Sequence, residues 1–195
     1  MGEVVAQLRQ AALQADGVGL RVEEAGHGRV EPHEGALAAV AGGLDAVRLL
    51  GAASVLDHAL QELHRGAEQI FNWAIEAGWD KEYGGLLYFI DCLGKSPEAY
   101  EHDMKLWWPH NEIMISSLML YRDTRDEKYL EWFEKTVAYC KAHFSDPEYG
   151  EWYGYLRRDG KPTEPSTKGS TFKGPFHLPR ALIQCDIMLG QLLEG

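Results

Sequence analysis

Four stretches of the chain place apolar side chains at helical spacing. From His58 to Ala77 they fall at positions 60, 63, 67, 70, 71, 74 and 75, the three-and-four rhythm of one buried face. Residues 111–121 are largely apolar, 127–144 set Leu130, Phe133, Val137 and Cys140 on one stripe, and Leu178 to Leu193 closes the set. Pro109 and Pro179 sit where two of these helices begin, at positions whose N–H would have no helical partner. Between the helices lie short β-like aromatic runs, Leu86–Ile90 and Trp152–Leu156. Turns containing Gly94 and Asp159-Gly160 follow them, so each run reads as a hairpin arm.

Residues 1–54 read differently. Val4, Val5, Leu8, Ala12 and Leu13 have a passable amphipathic pattern, but nothing between Asp16 and Glu34 repeats with either period. Glycines at 17, 19, 26, 28, 35, 42, 43 and 51 would each cost about 1 kcal/mol inside a helix, so only short helices are expected there. None of the 6 tryptophans, 9 tyrosines or 6 phenylalanines precedes Phe71, and Lys81 is the first lysine. This break in composition predicts a poorly patterned segment, 1–54, either non-native to the fold that follows or truncated, and a well-patterned unit, 55–195.

The well-patterned unit contains a repeat. Asp80-Lys-Glu-Tyr-Gly and Asp146-Pro-Glu-Tyr-Gly share D-x-E-Y-G at a spacing of 66 residues, and His110 and His177 are 67 apart. Two long helices per hairpin, repeated at this period, predict an all-α toroid of helix pairs whose short β-hairpins cluster at one mouth. The patterned residues suffice for half of such a barrel or less. The repeat would bring both histidines to one rim.

Composition narrows the function. A net charge of −11 argues against a nucleic-acid or anionic-membrane surface, which clustered lysine and arginine usually serve. No apolar run approaches the roughly 20 residues of a membrane span, and no signal-peptide pattern opens the chain, so a cytoplasmic protein is expected. Cys92, Cys140 and Cys185 form no C-x-x-C pair and read as buried free thiols. No metal is implied, because neither His102-Asp103 nor His110 with Glu112 has zinc-ligand spacing. The candidate chemistry lies in two aromatic-rich histidine segments, Lys105-Leu-Trp-Trp-Pro-His-Asn-Glu112 and Gly174-Pro-Phe-His-Leu-Pro-Arg180. Trp107 and Trp108 offer flat faces to a sugar, and His110, Glu112, His177 and Arg180 add acid/base and charge chemistry. Glu148 and Glu151 read as braces for the hairpins or as lining of the mouth. Lys168-Gly-Ser-Thr-Phe-Lys-Gly174 only superficially suggests a phosphate loop, since Pro175 stands where the motif needs lysine.

From about Ile70 to Leu192 the sequence resembles the C-terminal half of the N-acylglucosamine 2-epimerase family, also called renin-binding protein. The likeness rests on Gly78-Trp-Asp with Tyr83-Gly-Gly, Met104-Lys-Leu-Trp-Trp-Pro-His-Asn-Glu112, Asp146-Pro-Glu-Tyr-Gly-Glu-Trp152 and Phe172-Lys-Gly-Pro-Phe-His-Leu-Pro-Arg180, in family order and spacing. It implies part of an (α/α)6 barrel and interconversion of N-acetylglucosamine and N-acetylmannosamine. ATP would act as an activator that is not consumed. By this resemblance His177 is one of two groups that exchange the C2 proton, and Glu112 is an essential carboxylate orienting a histidine or assisting ring opening. Trp108 is a stacking face, while His110 and Arg180 contact the sugar or hold the site together. The resemblance also implies a homodimer or a dimer with a full-length copy, with renin as a further partner.

The family's second catalytic histidine, in a Pro-Gly-His segment, has no counterpart. Ala41-Gly-Gly-Leu-Asp-Ala-Val-Arg-Leu-Leu50 holds none, and His58 and His64 stand in the wrong context. Impaired activity is therefore expected of this chain. A non-catalytic binding or dimerising form, or another aldose epimerase or isomerase, is the alternative reading. An inverting glycosidase would instead require a pair of carboxylates about 6.5–9.5 Å apart.

Overall fold

A computed structural model of the protein describes residues 43–194, with side chains from Val55 onward. The amphipathic pattern of Val4 to Leu13 and the unpatterned stretch from Asp16 to Glu34 lie outside these residues. The chain divides between Gln69 and Ile70 into two units. The first, as far as it is described, is purely helical. It consists of most of α1 (Gly43–Gly78), on which Val55, Leu56, Leu60 and Leu63 are exposed. This helix corrects the expectation of only short helices before residue 55. Leucines and alanines at 44, 46, 49, 50, 52 and 53 have high helix propensity and outweigh the cost of Gly43 and Gly51.

The second unit holds the end of α1, then β1 (Lys105–Leu106), α2 (Trp107–Thr124), α3 (Glu127–His143), β2 (Tyr155–Leu156) and α4 (His177–Glu194). The α2 helix lies in the middle, packed on one side by α3 and on the other by α4. Each helix boundary has a local cause. Leu106, in extended conformation, caps α2, and Pro109 falls within its first turn. The α2 helix stops where Arg125 turns left-handed at φ 58 and its N–H returns to the Tyr121 carbonyl at 2.8 Å. One residue later the Asp126 carboxylate accepts the Lys128 N–H at 3.1 Å and starts α3. Leu118, Tyr129, Phe133, Phe144, Ala181, Cys185 and Leu189 are fully buried between the three helices. Burial of a large apolar side chain of this kind contributes about 1.5–3 kcal/mol. Cys140 and Cys185 are interior thiols as expected, whereas Cys92 is exposed on the first hairpin loop.

The sequence repeat is a repeat of one turn. Asp80 Oδ1 accepts the N–H groups of Glu82 and Tyr83 at 3.0 and 3.3 Å, and Asp146 Oδ1 accepts those of Glu148 and Tyr149 at 2.9 and 3.3 Å. Gly84 and Gly150 sit at φ 72 and 68 and return their N–H groups to the Asp80 and Asp146 carbonyls. Antiparallel bridges, Trp79 with Leu86 and Ser145 with Trp152, close both turns. The next residue differs between the copies. Gly85 has φ 71, and a Cβ there would lie 2.5 Å from Tyr139 Cζ, so glycine is required; the second copy has Glu151, at φ 62.

The predicted hairpin arms form only short pairings. In the first, the N–H groups of Tyr88 and Phe89 reach the carbonyls of Met104 and His102 at 3.0 and 2.9 Å. In the second, Arg157 pairs with Lys161 around the Asp159-Gly160 turn. The regular strand pairing joins the two repeats: β1 runs antiparallel to β2, with Lys105 opposite Leu156 and Leu106 opposite Tyr155. Gly154 extends this seam, accepting the Trp107 N–H at 3.2 Å and donating its own to Thr167 O at 2.9 Å. A Cβ on Gly154 would come within 3.0 Å of Lys173 Cδ and 3.8 Å of Trp107 Cε3.

Candidate active site

The first turns of α2 and α4 present the two histidine segments to each other. Glu112, one turn into α2, takes a hydrogen bond from His177 Nδ1 at 2.9 Å, and Arg180 Nη2 binds the same carboxylate oxygen. His177 and Arg180 are three residues apart and so lie on one face of α4. One carboxylate therefore holds both. Burial works to raise the Glu112 pKa, but the Arg180 and His177 hydrogen bonds outweigh it and hold the carboxyl below its ordinary value. With Nδ1 donating to an ionised carboxylate, the neutral form of the His177 ring presents Nε2 as its acceptor. All three side chains are partly open to solvent, at 30% for His177, 39% for Glu112 and 29% for Arg180, so a solute can reach them. Trp108 lies beside the imidazole at 5.8 Å between ring centroids, Phe176 meets it edge-on at 4.9 Å, and the Arg180 guanidinium lies 5.2 Å from the Phe176 ring centre.

Two residues expected at the sugar are buried. Trp107 is 2% exposed and packs edge-on against Tyr155 and, at 6.4 Å, against His177, so it backs the imidazole from within and leaves the open aromatic face to Trp108. Of the two roles expected for His110, contacting the sugar or holding the site together, its burial fits the second and not the first. The side chain has no exposed surface, is stacked on Tyr139 at 5.3 Å, and uses both ring nitrogens internally. The Leu86 N–H donates to Nε2 at 2.9 Å, so the ring proton is on Nδ1 and is given to the Leu106 carbonyl at 2.6 Å. His110 thus ties the first turn of the repeat to the start of α2, which is a supporting role. Burial pushes its pKa down to about 4. Across pH 5–8, 15N NMR is expected to show His110 fixed as the neutral Nδ1–H tautomer. A midpoint above pH 6 would contradict this placement.

A buried ionic group stands behind the site and was not anticipated from the sequence. Lys105 Nζ, with no exposed surface, donates to Asp80 Oδ2 at 2.8 Å, and Arg158 Nε reaches the same oxygen at 3.0 Å. Burial opposes the charge on Asp80, but Arg158 and Lys105 outweigh it and hold its carboxyl well below the usual range. The acidic turn, β1 and the second hairpin are thereby fastened together. The only sequence signal was a lysine at the start of an otherwise apolar aromatic segment. Glu151 braces a hairpin as expected, accepting from Lys173 Nζ at 2.9 Å.

Lys168 is paired with Asp146 and donates to the Gly150 carbonyl at 2.8 Å, and Lys173 is paired with Glu151, so both cations already have anionic partners. His58 and His64 are exposed on α1, as expected of solvated residues. Among the described residues no group of three His, Cys, Asp or Glu side chains is placed to hold a metal ion, and no helix is long and apolar enough to cross a membrane.

Residues 43–177 match the family model described as N-acylglucosamine 2-epimerase (GlcNAc 2-epimerase). The chain is 51% identical over 118 residues to N-acylglucosamine 2-epimerase of Mus musculus, covering 60% of this chain and 28% of the relative. It is 52% identical over 118 residues to that of Bos taurus, with the same coverage of 60% and 28%. The chain thus spans less than a third of the length of these relatives. Among solved structures, a D-mannose isomerase superposes with a TM-score of 0.55 at 24% identity, covering 60% of this chain and 29% of that one. This likeness carries the fold: the described helix pairs are part of an (α/α)6 barrel.

Proposed function

Because the chain belongs to the N-acylglucosamine 2-epimerase family, we propose that it carries one acid/base half of a C2 epimerisation that interconverts N-acetylglucosamine and N-acetylmannosamine. The observation that supports this reading is the Glu112–His177 hydrogen bond of 2.9 Å, which leaves Nε2 free beside Trp108. In the open-chain sugar the aldehyde at C1 acidifies the C2 proton. His177 Nε2 takes that proton, the C2–H electron pair moves into a C1–C2 double bond, and the displaced carbonyl pair rests on O1. The imidazolium so formed is stabilised by the Glu112 carboxylate and can return the proton to C2. Epimerisation requires a second group on the opposite face, and no histidine occurs in residues 41–50 to supply it. The proposal extends to ATP activation, dimerisation and a renin contact, each carried by family membership, and to a cytoplasmic setting.

The test is proton exchange at C2 of N-acetylmannosamine in heavy water, followed by NMR with and without ATP. Exchange without formation of N-acetylglucosamine is expected from the wild-type chain. Epimerised product would mean that a second base is present, and no exchange from folded protein would remove the catalytic reading. In that event the second reading, a binding or dimerising role for the same fold, is favoured by the apolar residues exposed along α1 and α4, including Leu63, Trp73, Ile183 and Ile187.

A further inference from the structure

Glu151 occupies a backbone position that its own repeat reserves for glycine. At φ 62 it stands where the first copy has Gly85, in a region that costs a residue with a Cβ about 1–2 kcal/mol. Glycine there would relieve the turn, yet the sequence carries glutamate. What the glutamate gains is visible in its contacts. Its carboxylate accepts the Trp152 N–H at 2.9 Å and the Lys173 ammonium at 2.9 Å. Lys173 has only 6% of its side chain exposed, and a lysine this enclosed needs a fixed counter-charge. Its stem lies on Gly154, the residue whose carbonyl holds the first N–H of α2.

The placement has a parallel in the first repeat. Lys105, five residues before His110, is buried against Asp80; Lys173, four residues before His177, is buried against Glu151. Each histidine segment is thus moored by an enclosed lysine to the acidic turn of its own repeat. In the second copy the acceptor has moved from the aspartate of the turn to the residue in left-handed conformation. Only Gly174, Pro175 and Phe176 separate Lys173 from His177. The ring of Pro175 fixes its φ, and Phe176 packs edge-on against the imidazole.

We propose that the Glu151–Lys173 ion pair is a positioning device that sets His177 against Glu112, so that Glu151 and Lys173 are positioning residues for the acid/base group. This deepens the function proposed above and rests on it for its catalytic meaning, but the placement of His177 can be read independently of activity. The decisive variant is Glu151→Gly, which removes the carboxylate while giving the turn the residue its backbone favours. In the histidine-labelled 195-residue chain, with the His177 signals assigned by comparison with His177→Ala, Glu151→Gly and Lys173→Met are expected to lose the hydrogen-bonded Nδ1–H signature of His177. Lys173→Arg should retain it; because Glu151→Gly relaxes the turn but leaves Lys173 without its counter-charge, helical circular dichroism recorded beside the NMR should show each variant still folded. Where C2 exchange is measurable in wild type, it should drop at least about tenfold in both disruptive variants. Unchanged His177 ring signals in Glu151→Gly would overturn the proposal. Absence of C2 exchange in the wild type would instead remove the functional reading, with the NMR comparison still deciding whether the ion pair positions His177.

Discussion

Glu112→Gln is expected to lower the rate of C2 proton exchange by about 10²- to 10⁴-fold while leaving the fold intact. Glutamine has nearly the same shape and still offers an oxygen to the His177 Nδ1–H, so geometry alone predicts a mild effect. Charge predicts a large one. In the proposed reaction the carboxylate would stabilise the imidazolium formed when Nε2 takes the C2 proton, and it is the shared anchor of His177 and Arg180. A neutral amide removes that stabilisation and can rotate to present its NH₂ to Nδ1, which favours the tautomer with the proton on Nε2 and abolishes the base. His177→Ala should eliminate exchange altogether. Because Glu112 is 39% exposed, its loss should cost little stability, and thermal melting run beside the rate measurement separates the two effects. An exchange rate in Glu112→Gln equal to wild type would exclude the dyad as the acid/base group.

The second large effect is on stability. Asp80→Ala leaves the Lys105 ammonium with no exposed surface and no carboxylate, and loss of one partner from a buried pair typically costs about 3–5 kcal/mol. Arg158→Ala removes a side chain that is 44% exposed and leaves Asp80 paired with Lys105, so it should cost about 1 kcal/mol or less. Urea unfolding of both variants checks the ratio. The pH dependence follows from the direction of the Asp80 shift. Its folded-state pKa lies well below its unfolded value of about 3.9, so the stabilisation is fully present above that value and is lost as pH falls below it. The wild type should therefore lose stability below about pH 4 more steeply than Asp80→Asn. Equal acid sensitivity in the two would show that Asp80 is not the group responsible.

Much of this arrangement was legible in the chain because it rests on spacing. Four helical patterns became α1 to α4 with boundaries near their prolines and acidic caps, and the D-x-E-Y-G repeat became two copies of one turn. The meeting of Glu112, His177 and Arg180 followed from two segments related by nearly the same period. What spacing could not reveal was depth. His110 and His177 stand at corresponding places beside similar neighbours, yet one ring is sealed between Tyr139 and Phe144 and the other is partly open to solvent. Trp107 and Trp108 are adjacent and both meet His177, yet the helix buries the first and leaves the second partly open. The Asp80–Lys105–Arg158 group was hidden for another reason: its members are 25 and 53 residues apart in sequence, and only the pairing of β1 with β2 brings them together.

Gly154 lies between the two halves of the site without contributing an atom to the chemistry. Its carbonyl fixes the residue that begins α2, its N–H fixes the strap leading to α4, and the Lys173 stem occupies the space a side chain would need. A variant at this glycine would present as a compound lesion, in which Trp108 and His177 lose alignment together although neither segment has been altered. In a mutational scan scored by both abundance and activity, such a position stands apart from the catalytic residues. It is a pivot whose failure is geometric, and no chemical rescue of one histidine repairs it.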